Sequence, residues 1–485
     1  MIINYKRYFS YLVILFACIS LIYISTANCG IGISPDSAHY ISIAKNILPE
    51  HNFLSSITGW DDKEIKNWNA LWPPLYPIII VVPVLLRNYF NDFPFIILNG
   101  ILLFITILLS VKLFKRLVNS DKIIYPAGII LIVFSKWFFW IYCFVWSETV
   151  FIPLVLVNLL LFDNFMKSKS DRDFYLLLGS ILALSLTRYI GVFFFFPLIY
   201  FGFRNRFLIN RLRLSALIVS TVPLLIYLLM NYYYTNTLLG IRAKAEISWL
   251  DLAYRLIEGI NLYIFGYRPA VVLQYVTASL FIFIICFFLI RVWNTKNELN
   301  RLILITCFLQ VGAVFIFASS SRLEKISFRY FSPVFIPVAL LVISSMLSVF
   351  RKKLALVIIL ILSVSSGMIT IGSVYIYRHN GVGCFSAIEW KNSEIIDFIK
   401  RENPNRIIYS NYPDAINYFT NKPAKLITGE EEKLPEMLEK IRLEKGILII
   451  LNKTTFRITV DKKILFGMLG KQKSIQLSDG KIYFF

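Results

Sequence analysis

The sequence predicts an all-α polytopic membrane protein that ends in a small extracytoplasmic α/β domain. Of the 485 residues, 57% are hydrophobic and only 16% are charged, whereas about a quarter of a soluble protein is charged. Apolar runs of about 20 residues, long enough to cross a bilayer core, recur along the chain as far as "LALVIILILSVSSGMITIGSVYIY". These features predict a transmembrane domain over residues 1–378, and the more polar tail that follows predicts a separate domain over 379–485.

The basic residues predict how the chain is threaded through the membrane. Lys and Arg are densest in short turns between apolar runs, such as the turn with Lys112, Lys115 and Arg116, and turns of this kind lie on the cytoplasmic side. About eleven transmembrane helices, with the N-terminus inside and the C-terminus outside, satisfy this pattern. The net charge of +21 follows this topology and forms no groove for phosphate backbones, so we expect the bilayer, and no nucleic acid, as a partner.

The N-terminal part contains the first predicted helix and a long external loop. The helix covers residues 8–26 and is interpreted as uncleaved, because its apolar run exceeds the roughly 7–15 residues of a signal peptide. The external loop covers 28–93. Its stretch "PPLYPIIIVVPVLL" (73–86) is short and interrupted by proline, which favours a re-entrant or interfacial helix over a further span.

The tail alternates helix and strand patterns, which is typical of an α/β domain. The stretch "SAIEWKNSEIIDFIKREN" predicts an amphipathic helix with Ser393 as its N-cap. The segments "RIIYS", "AKLIT" and "GILIILN" predict strands, and "KSIQLSDGKIYFF" predicts a strand pair. Within the tail there is no phosphate-binding glycine loop and no Ser/His/Asp or Cys/His set. Of six cysteines, Cys29 and Cys384 are the two placed to meet an oxidising compartment, and their spacing leaves a disulfide between them open.

Several polar residues from separate loops are predicted to lie at the outer surface of the membrane. Arginine forks suit a phosphate group, and a carboxylate suits the deprotonation of a hydroxyl or amine. A polyprenyl-phosphate sugar presents its phosphate at this depth, with its lipid tail in the bilayer. The residues are Asp36, His39, Glu148, Arg188, Lys325, Arg329 and Tyr330.

Each of these residues also has a purely structural interpretation. Asp36 in "SPDSAHY" is a good helix N-cap, and Glu148 is a charge that the N-terminal end of a helix dipole favours. Arginines at a membrane border extend to water without any ligand. His39 is interpreted as structural or as a contact to the acceptor, in preference to a metal ligand.

The order of motifs along the chain resembles that of the GT-C superfamily of integral-membrane glycosyltransferases. It is most similar to the bacterial branch that includes lipid A aminoarabinose transferase and relatives of protein O-mannosyltransferases. In that branch the first external loop opens with an acidic motif, which corresponds here to "SPDSAHYISIAKNIL" with Asp36 and Tyr40. Ser37 stands where a second acid is usual. The proline-rich entry of the family corresponds to "NALWPPLYPIII", with Trp72 and Tyr76.

Later motifs extend the resemblance over essentially the whole chain. The acidic residue that opens the fourth helix corresponds to Glu148 in "WSETVFIPL". The basic residue after the fifth helix corresponds to Arg188 in "LTRYIG", and a late pair that opens a helix corresponds to Arg329 and Tyr330 in "SFRYFSP". Many members also end in an extracytoplasmic α/β domain.

The resemblance implies inverting transfer of a sugar from a polyprenyl phosphate to an extracytoplasmic lipid, glycan or protein acceptor at a bacterial plasma membrane. Asp36 would be the general base, or a ligand for a divalent metal near the acceptor, although Ser37 removes the natural second ligand. Glu148 would take part in catalysis, and Arg188 and Arg329 would hold the phosphate. Substrate-binding roles would extend to His39, Tyr40, Trp72, Tyr76, Lys325 and Tyr330.

Two other functions remain as alternatives. A glycan polymerase or ligase that uses diphosphate-linked oligosaccharides usually has a large late external loop, whereas the largest predicted loop here is the first. A lipid or glycan flippase is expected to have charged residues near the bilayer midplane and paired repeats with broken helices. The sequence shows charges clustered at the ends of the predicted spans.

Overall fold

The computed structural model describes most of the chain. It covers residues 5–50, 52–118, 128–129, 135–207, 210–240, 251, 254, 258, 271–293, 297–320, 328–452, 462–470 and 472–485.

Helices dominate the first 380 residues. In chain order they are α1 (Tyr5–Thr26), α2 (Pro35–Glu50), α3 (Leu75–Ile79), α4 (Val81–Phe90), α5 (Phe93–Leu117), α6 (Lys136–Tyr142), α7 (Glu148–Ser168), α8 (Asp171–Thr187), α9 (Phe195–Arg204), α10 (Arg211–Thr235), α11 (Val271–Trp293), α12 (Glu298–Ser320), α13 (Phe328–Val349) and α14 (Lys352–Asn380). A 3₁₀ helix, Tyr189–Phe194, lies between α8 and α9.

The remaining elements belong to the first loop and the tail. The strands are β1 (Leu54–Ser55), β2 (Ile57–Gly59), β3 (Asn67–Trp68), β4 (Ile408–Ser410), β5 (Ala424–Leu426), β6 (Ile447–Leu451), β7 (Ser474–Leu477) and β8 (Gly480–Phe484). The helices of the tail are α15 (Ile388–Lys391), α16 (Glu394–Glu402), α17 (Pro413–Thr420), α18 (Leu434–Leu443) and α19 (Lys462–Leu469).

The chain is a multi-pass membrane protein. Within the described residues, seven helices are long and apolar enough to cross a bilayer, namely α1, α5, α7, α10, α12, α13 and α14. The third predicted span, 123–142, lies mostly outside the described residues, which include its last part as α6. The total of eleven spans therefore stays a prediction. The helices α3 and α4 of the proline-rich stretch have 5 and 10 residues, and each is too short to cross a bilayer.

The chain divides into two compact units. The first comprises Met1–Ser25, Ala70–Tyr76 and Ile96–Ile376, and the second comprises Thr26–Asn69, Pro77–Phe95 and Tyr377–Phe485. The loop 28–93 is predicted from sequence to belong to the transmembrane domain, whereas in the structure most of this loop belongs to the same compact unit as the tail. The proline-rich residues 70–76 are the part that packs with the membrane helices.

An ion-pair cluster joins two helices of the first unit. Asp163 of α7 is 7% exposed, and its Oδ2 lies 2.6 Å from Nη1 of Arg116 on α5 and 2.7 Å from Nζ of Lys167. Arg116 also donates to the carbonyl oxygen of Leu160 at 3.0 Å. A buried carboxylate in an apolar helix needs such partners, because desolvation of an unpaired charge costs several kcal/mol.

The second unit is built on a sheet to which the first loop contributes an edge strand. Among the described strands the order is β2-β5-β4-β6-β8-β7. The strands β2, β5, β4 and β6 are parallel, while β8 is antiparallel to β6 and β7. The strands predicted from the tail are all present, and Ser393 caps α16 by accepting a hydrogen bond from the amide of Ile396. Strand β2 is the addition that the tail sequence alone does not reveal.

A buried lysine helps to hold the loop against the tail. Lys425 of β5 is 1% exposed, and its Nζ donates to the carbonyl oxygen of Asp62 at 2.9 Å, although the two residues are 363 positions apart. Its Nζ also lies 3.8 Å from Oε1 of Glu444. Burial is the main cause that lowers the pKa of Lys425, since desolvation disfavours the ammonium form.

The six cysteines all lie in described residues and carry free thiols. The Sγ of Cys29 faces the carbonyl oxygen of His379 at 3.9 Å. The structure therefore contains no disulfide between Cys29 and Cys384.

We predict that Leu448→Ala destabilises the second unit. Leu448 is fully buried in the central strand β6, so truncation leaves a cavity that costs about 2–5 kcal/mol. The matched control is Leu443→Ala, because Leu443 is 78% exposed and its truncation costs no more than about 0.5 kcal/mol. The free energy of unfolding of both variants is measured by guanidinium titration of the full chain in detergent, with proteolysis of the tail as the signal of unfolding. Equal losses of stability would contradict the packing described here.

Candidate functional site

A buried carboxylate opens the membrane helix α7. Glu148 is the first residue of α7 and is fully buried. The turn before it is held from α5, where Nδ2 of Asn99 donates to the carbonyl oxygens of Tyr142 at 2.9 Å and Phe144 at 2.8 Å. The position of Glu148 is therefore set by the core of the first unit.

Arg188 lies at the junction between α8 and the 3₁₀ helix. Its backbone is extended, with φ −150° and ψ 135°, and its amide donates to the carbonyl oxygen of Leu184 at 3.0 Å. The chain then turns so closely that a Cβ at Gly191 would lie 2.3 Å from the carbonyl carbon of Leu184. Glycine at 191 thus permits the tight turn that directs the chain away after Arg188.

Arg329 reaches the same carboxylate from the first turn of α13. Its Nε lies 2.5 Å from Oε1 of Glu148, and its Nη2 donates to Oε2 at 3.3 Å. Its guanidinium carbon stands 4.3 Å from the ring centre of Trp146. That ring is stacked on Phe144 at 4.1 Å, so the aromatic face that supports Arg329 is itself fixed.

These residues form one cluster, which we call the Glu148 cluster: Glu148, Arg188, Arg329, Ser147 and Trp146. Nη1 of Arg188 lies 2.5 Å from Oε1 of Glu148 and donates to Oγ of Ser147 at 3.0 Å. Two guanidinium groups therefore share one carboxylate, and the cluster carries a net charge of +1. A positive site in an apolar unit attracts an anion strongly, because the local dielectric is low.

The cluster retains donors for an additional acceptor. The side chains of Arg188 and Arg329 are 21% and 12% exposed, whereas Glu148 is not exposed. Among the described residues, Arg188 contacts Glu148 and Ser147 through Nη1. Its Nε and Nη2 can therefore donate to a further acceptor. A guanidinium has five N–H donors in a fixed fork, which matches the oxygens of a phosphate. The Glu148 cluster can therefore bind an anionic oxygen group, such as a phosphate, in the first unit.

The proline-rich segment is tied to the residue that follows Arg188. Tyr189 donates its hydroxyl to the carbonyl oxygen of Ala70 at 2.7 Å, and Asn231 of α10 donates to the Tyr189 hydroxyl at 2.9 Å. Tyr227 of α10 donates to the carbonyl oxygen of Trp72 at 3.0 Å. The Trp72 side chain is partly exposed, while Tyr76 is 1% exposed. Trp72 is thus held in the same unit as the Glu148 cluster, and Tyr76 packs in the core.

Asp36 lies in the first turn of α2, in the second unit, and it is not the N-cap of that helix. The N-cap is Ser34, whose Oγ accepts a hydrogen bond from the amide of Ser37 at 3.3 Å. Ser37 returns the interaction by accepting from the amide of Ser34 at 3.1 Å, as in a capping box. Pro35 occupies the first helical position, where proline is favoured. Asp36 is partly exposed.

His39 and Tyr40 are buried on the same helix, 8% and 2% exposed. Nε2 of His39 lies 3.0 Å from Oδ1 of Asp414, and Nδ1 lies 3.2 Å from Oγ of Ser55. Asp414 and Ser55 come from α17 and β1, so no local sequence pattern indicates this contact.

Two predicted substrate-binding residues, Tyr330 and Lys325, are not among the described members of the Glu148 cluster. Tyr330 follows Arg329 and is partly exposed, and its carbonyl oxygen accepts from Nε2 of Gln310 at 3.5 Å. Lys325 lies outside the described residues. Over the described part of the chain, no group of three or more His, Cys, Asp or Glu side chains is arranged to hold a metal ion.

We predict that Glu148→Gln destabilises the first unit strongly. The substitution leaves two guanidinium groups side by side without their shared carboxylate, and breaking a buried ion pair costs about 3–5 kcal/mol. The matched control is Asp171→Asn, which breaks the Arg213–Asp171 pair, where Asp171 is 51% exposed. Such a surface pair contributes about 1 kcal/mol or less. Thermal unfolding in detergent compares the two, and an equal shift would show that burial of Glu148 does not matter.

Comparison with solved structures identifies proteins of the same fold. The structure is similar to ArnT from Cupriavidus metallidurans in the apo state, with a TM-score of 0.62, 11% identity and coverage of 99% of this chain and 98% of that one. The same protein bound to undecaprenyl phosphate gives a TM-score of 0.61 and 9% identity, with 98% of both chains covered.

A more distant similarity is to the archaeal oligosaccharyltransferase AglB from Archaeoglobus fulgidus, in complex with an inhibitory peptide and a dolichol-phosphate. Its TM-score is 0.54 at 12% identity, with 92% of this chain and 70% of that one covered. No family model and no curated protein sequence matches. The predicted resemblance to GT-C glycosyltransferases is therefore confirmed at the level of the fold, which this chain shares with ArnT and AglB.

Proposed function

We propose that the protein is a membrane glycosyltransferase that transfers a sugar from a polyprenyl-phosphate-linked donor to an extracytoplasmic acceptor, with inversion. The observation that carries this proposal is the Glu148 cluster, in which two arginines share one carboxylate and leave a net positive charge in the first unit. The similar fold of ArnT bound to undecaprenyl phosphate and of AglB in complex with a dolichol-phosphate supports a lipid phosphate as the anion.

In this proposal the arginines act on the leaving group. The bond between the sugar anomeric carbon and the phosphate oxygen breaks, and its electron pair stays on the polyprenyl phosphate. Arg188 and Arg329 bind that phosphate and stabilise the charge that grows on it, as preorganised donors do in other transferases. Glu148 holds both guanidinium groups in place, and its burial keeps them oriented before the donor binds.

Asp36 acts on the acceptor. Its carboxylate takes the proton of the attacking hydroxyl or amine while the new bond forms on the opposite face of the anomeric carbon. The pair Ser34 and Ser37 supplies the N-cap of α2, so capping does not account for the acid at position 36. The acceptor in this proposal is a lipid, a glycan or a protein.

The proposed location is a bacterial plasma membrane, with a cytoplasmic N-terminus and an extracytoplasmic second unit. This orientation puts the basic ends of α5 and α7, with Arg116 and Lys167, in the cytoplasm. A flippase is the weaker alternative. Both acids of α7, Glu148 and Asp163, lie toward the helix ends, whereas a transport pathway is expected to place charge near the midplane.

We predict that Asp36→Asn abolishes transfer while leaving the fold intact. Loss of a general base lowers kcat by about 10²–10⁴-fold. The assay uses proteoliposomes with radiolabelled polyprenyl-phosphate sugars and membrane-extracted acceptors. The control Ser34→Ala removes the cap, which costs about 1 kcal/mol of stability, and it should retain transfer. Full activity of Asp36→Asn would remove Asp36 from the mechanism.

We also predict that Arg188→Gln weakens binding of undecaprenyl phosphate by about 10–100-fold, because a hydrogen bond to a charged group contributes about 1.5–3 kcal/mol. Native mass spectrometry in detergent measures the affinity without turnover. The matched control is Arg213→Gln, which removes another arginine that is bound to a carboxylate, Asp171, in the same unit. Equal affinities of the two variants would contradict phosphate binding by Arg188.

A further inference from the structure

The helix α2, which carries Asp36, is bound along its length to the loop and the tail. Near its middle, the Ser42 Oγ accepts from the amide of Ser56 at 2.9 Å. One turn later, Nδ2 of Asn46 donates to the carbonyl oxygen of Leu54 at 2.9 Å and to the Ser56 Oγ at 3.1 Å. Lys45 donates to the side chain of Asn421 at the end of α17. These bonds fix the C-terminal half of α2.

The N-terminal half of α2 has a different kind of anchor. His39 is one turn from Asp36, and residues three apart lie on neighbouring parts of one helix face. Its Nδ1 shares a hydrogen bond of 3.2 Å with Oγ of Ser55, and its Nε2 lies 3.0 Å from Oδ1 of Asp414 as an ion-pair contact. The residues His39, Asp414 and Ser55 are 8%, 1% and 3% exposed. A buried ring that hydrogen-bonds Ser55 on one side and contacts Asp414 on the other has one orientation, which sets the rotation of the first turns of α2.

The composition Ser55–His39–Asp414 is that of a hydrolase triad, but the geometry excludes a nucleophile. The Ser55 hydroxyl donates to the carbonyl oxygen of Ile57 at 3.3 Å and accepts from the Ile57 amide at 3.2 Å. It is buried, so no substrate carbonyl reaches it. The group is an anchor.

Asp414 is held rigidly by the sheet. It lies in the first turn of α17, after Pro413 at the start of the helix, where a carboxylate is favoured by the helix dipole. The connection from β4 to α17 is fixed by Asn411, whose side chain exchanges two hydrogen bonds of 2.9 Å with the backbone of Leu451 on β6. The anchor of His39 therefore rests on the centre of the sheet.

We propose that Asp414 is a positioning residue for Asp36: through His39 it fixes the first turns of α2 and so the direction of the Asp36 carboxylate. This inference rests on the proposed function. It gives the tail a part in the reaction, because the sheet orients the helix that bears the proposed base. Misplacement of a reacting group by about 1 Å costs about 10²-fold in rate.

The test compares Asp414→Ala, Asp414→Asn and the control Asn46→Ala. We expect kcat to fall by about 10–100-fold in Asp414→Ala, with the KM for the lipid-linked donor unchanged. Asp414→Asn keeps an acceptor for His39 and should recover part of the loss. Asn46→Ala loses two hydrogen bonds on the same helix, farther from Asp36, and should keep kcat within about threefold of wild type, since those bonds contribute to stability alone.

Amide hydrogen exchange on the same variants provides a readout that does not need turnover. Asp414→Ala should speed exchange at residues 37–41, and Asn46→Ala should speed it toward the C-terminal end of α2. Unchanged protection at 37–41 in Asp414→Ala would overturn the inference whether or not the protein transfers a sugar. Equal loss of kcat in Asp414→Ala and Asn46→Ala would also overturn it. An inactive wild type, or a fully active Asp36→Asn, would instead contradict the proposed function.

Discussion

Glu148 is a fully buried carboxylate at the start of a membrane helix, and it is stable there as a charge because Arg188 and Arg329 both bind it. An unpaired carboxylate in such surroundings costs several kcal/mol. The pairing draws together three segments that are far apart in the chain: the start of α7, the junction after α8 and the first turn of α13. Because two cations meet one anion, the interaction that stabilises the first unit also leaves it positively charged at one place.

In the second unit, contacts between distant segments likewise fix the helix that carries Asp36. The acid is carried by a helix whose cap is supplied by Ser34 and Ser37 and whose rotation is set by His39. The contacts of His39 and the pairing of β2 with β5 show that the first loop and the tail fold as one unit. A loop that resembles a separate feature in the sequence is thus part of the domain that ends the chain.

Local patterns in the sequence predicted much of this architecture. Hydropathy located the membrane helices from their apolar length, and the strands of the tail followed from their β-branched composition. Ser393 was predicted as a cap because its signal lies within one turn of the helix. The predicted topology puts Glu148, Arg188 and Arg329 at the outer surface of the membrane, and in the structure both arginines contact Glu148.

The remaining features depend on partners that are distant in sequence. Strand β2 has three residues, too few for a periodic pattern, and it is recognised only through its pairing with Ala424–Leu426. The contact between His39 and Asp414 has no local signal for the same reason. The sequence alone favours Asp36 as the cap by composition, whereas in the structure the helix begins one residue earlier and Ser34 caps it by accepting from the amide of Ser37.

The central claim is that the arginines of the Glu148 cluster bind the phosphate of a lipid carrier. The most direct test is a cryo-electron microscopy structure of the protein with undecaprenyl phosphate in a lipid nanodisc. The account predicts phosphate oxygens about 2.7–2.9 Å from guanidinium nitrogens of Arg188 and Arg329, with Glu148 still bound to both. A phosphate bound elsewhere, with the Glu148 cluster unchanged and unoccupied, would contradict it.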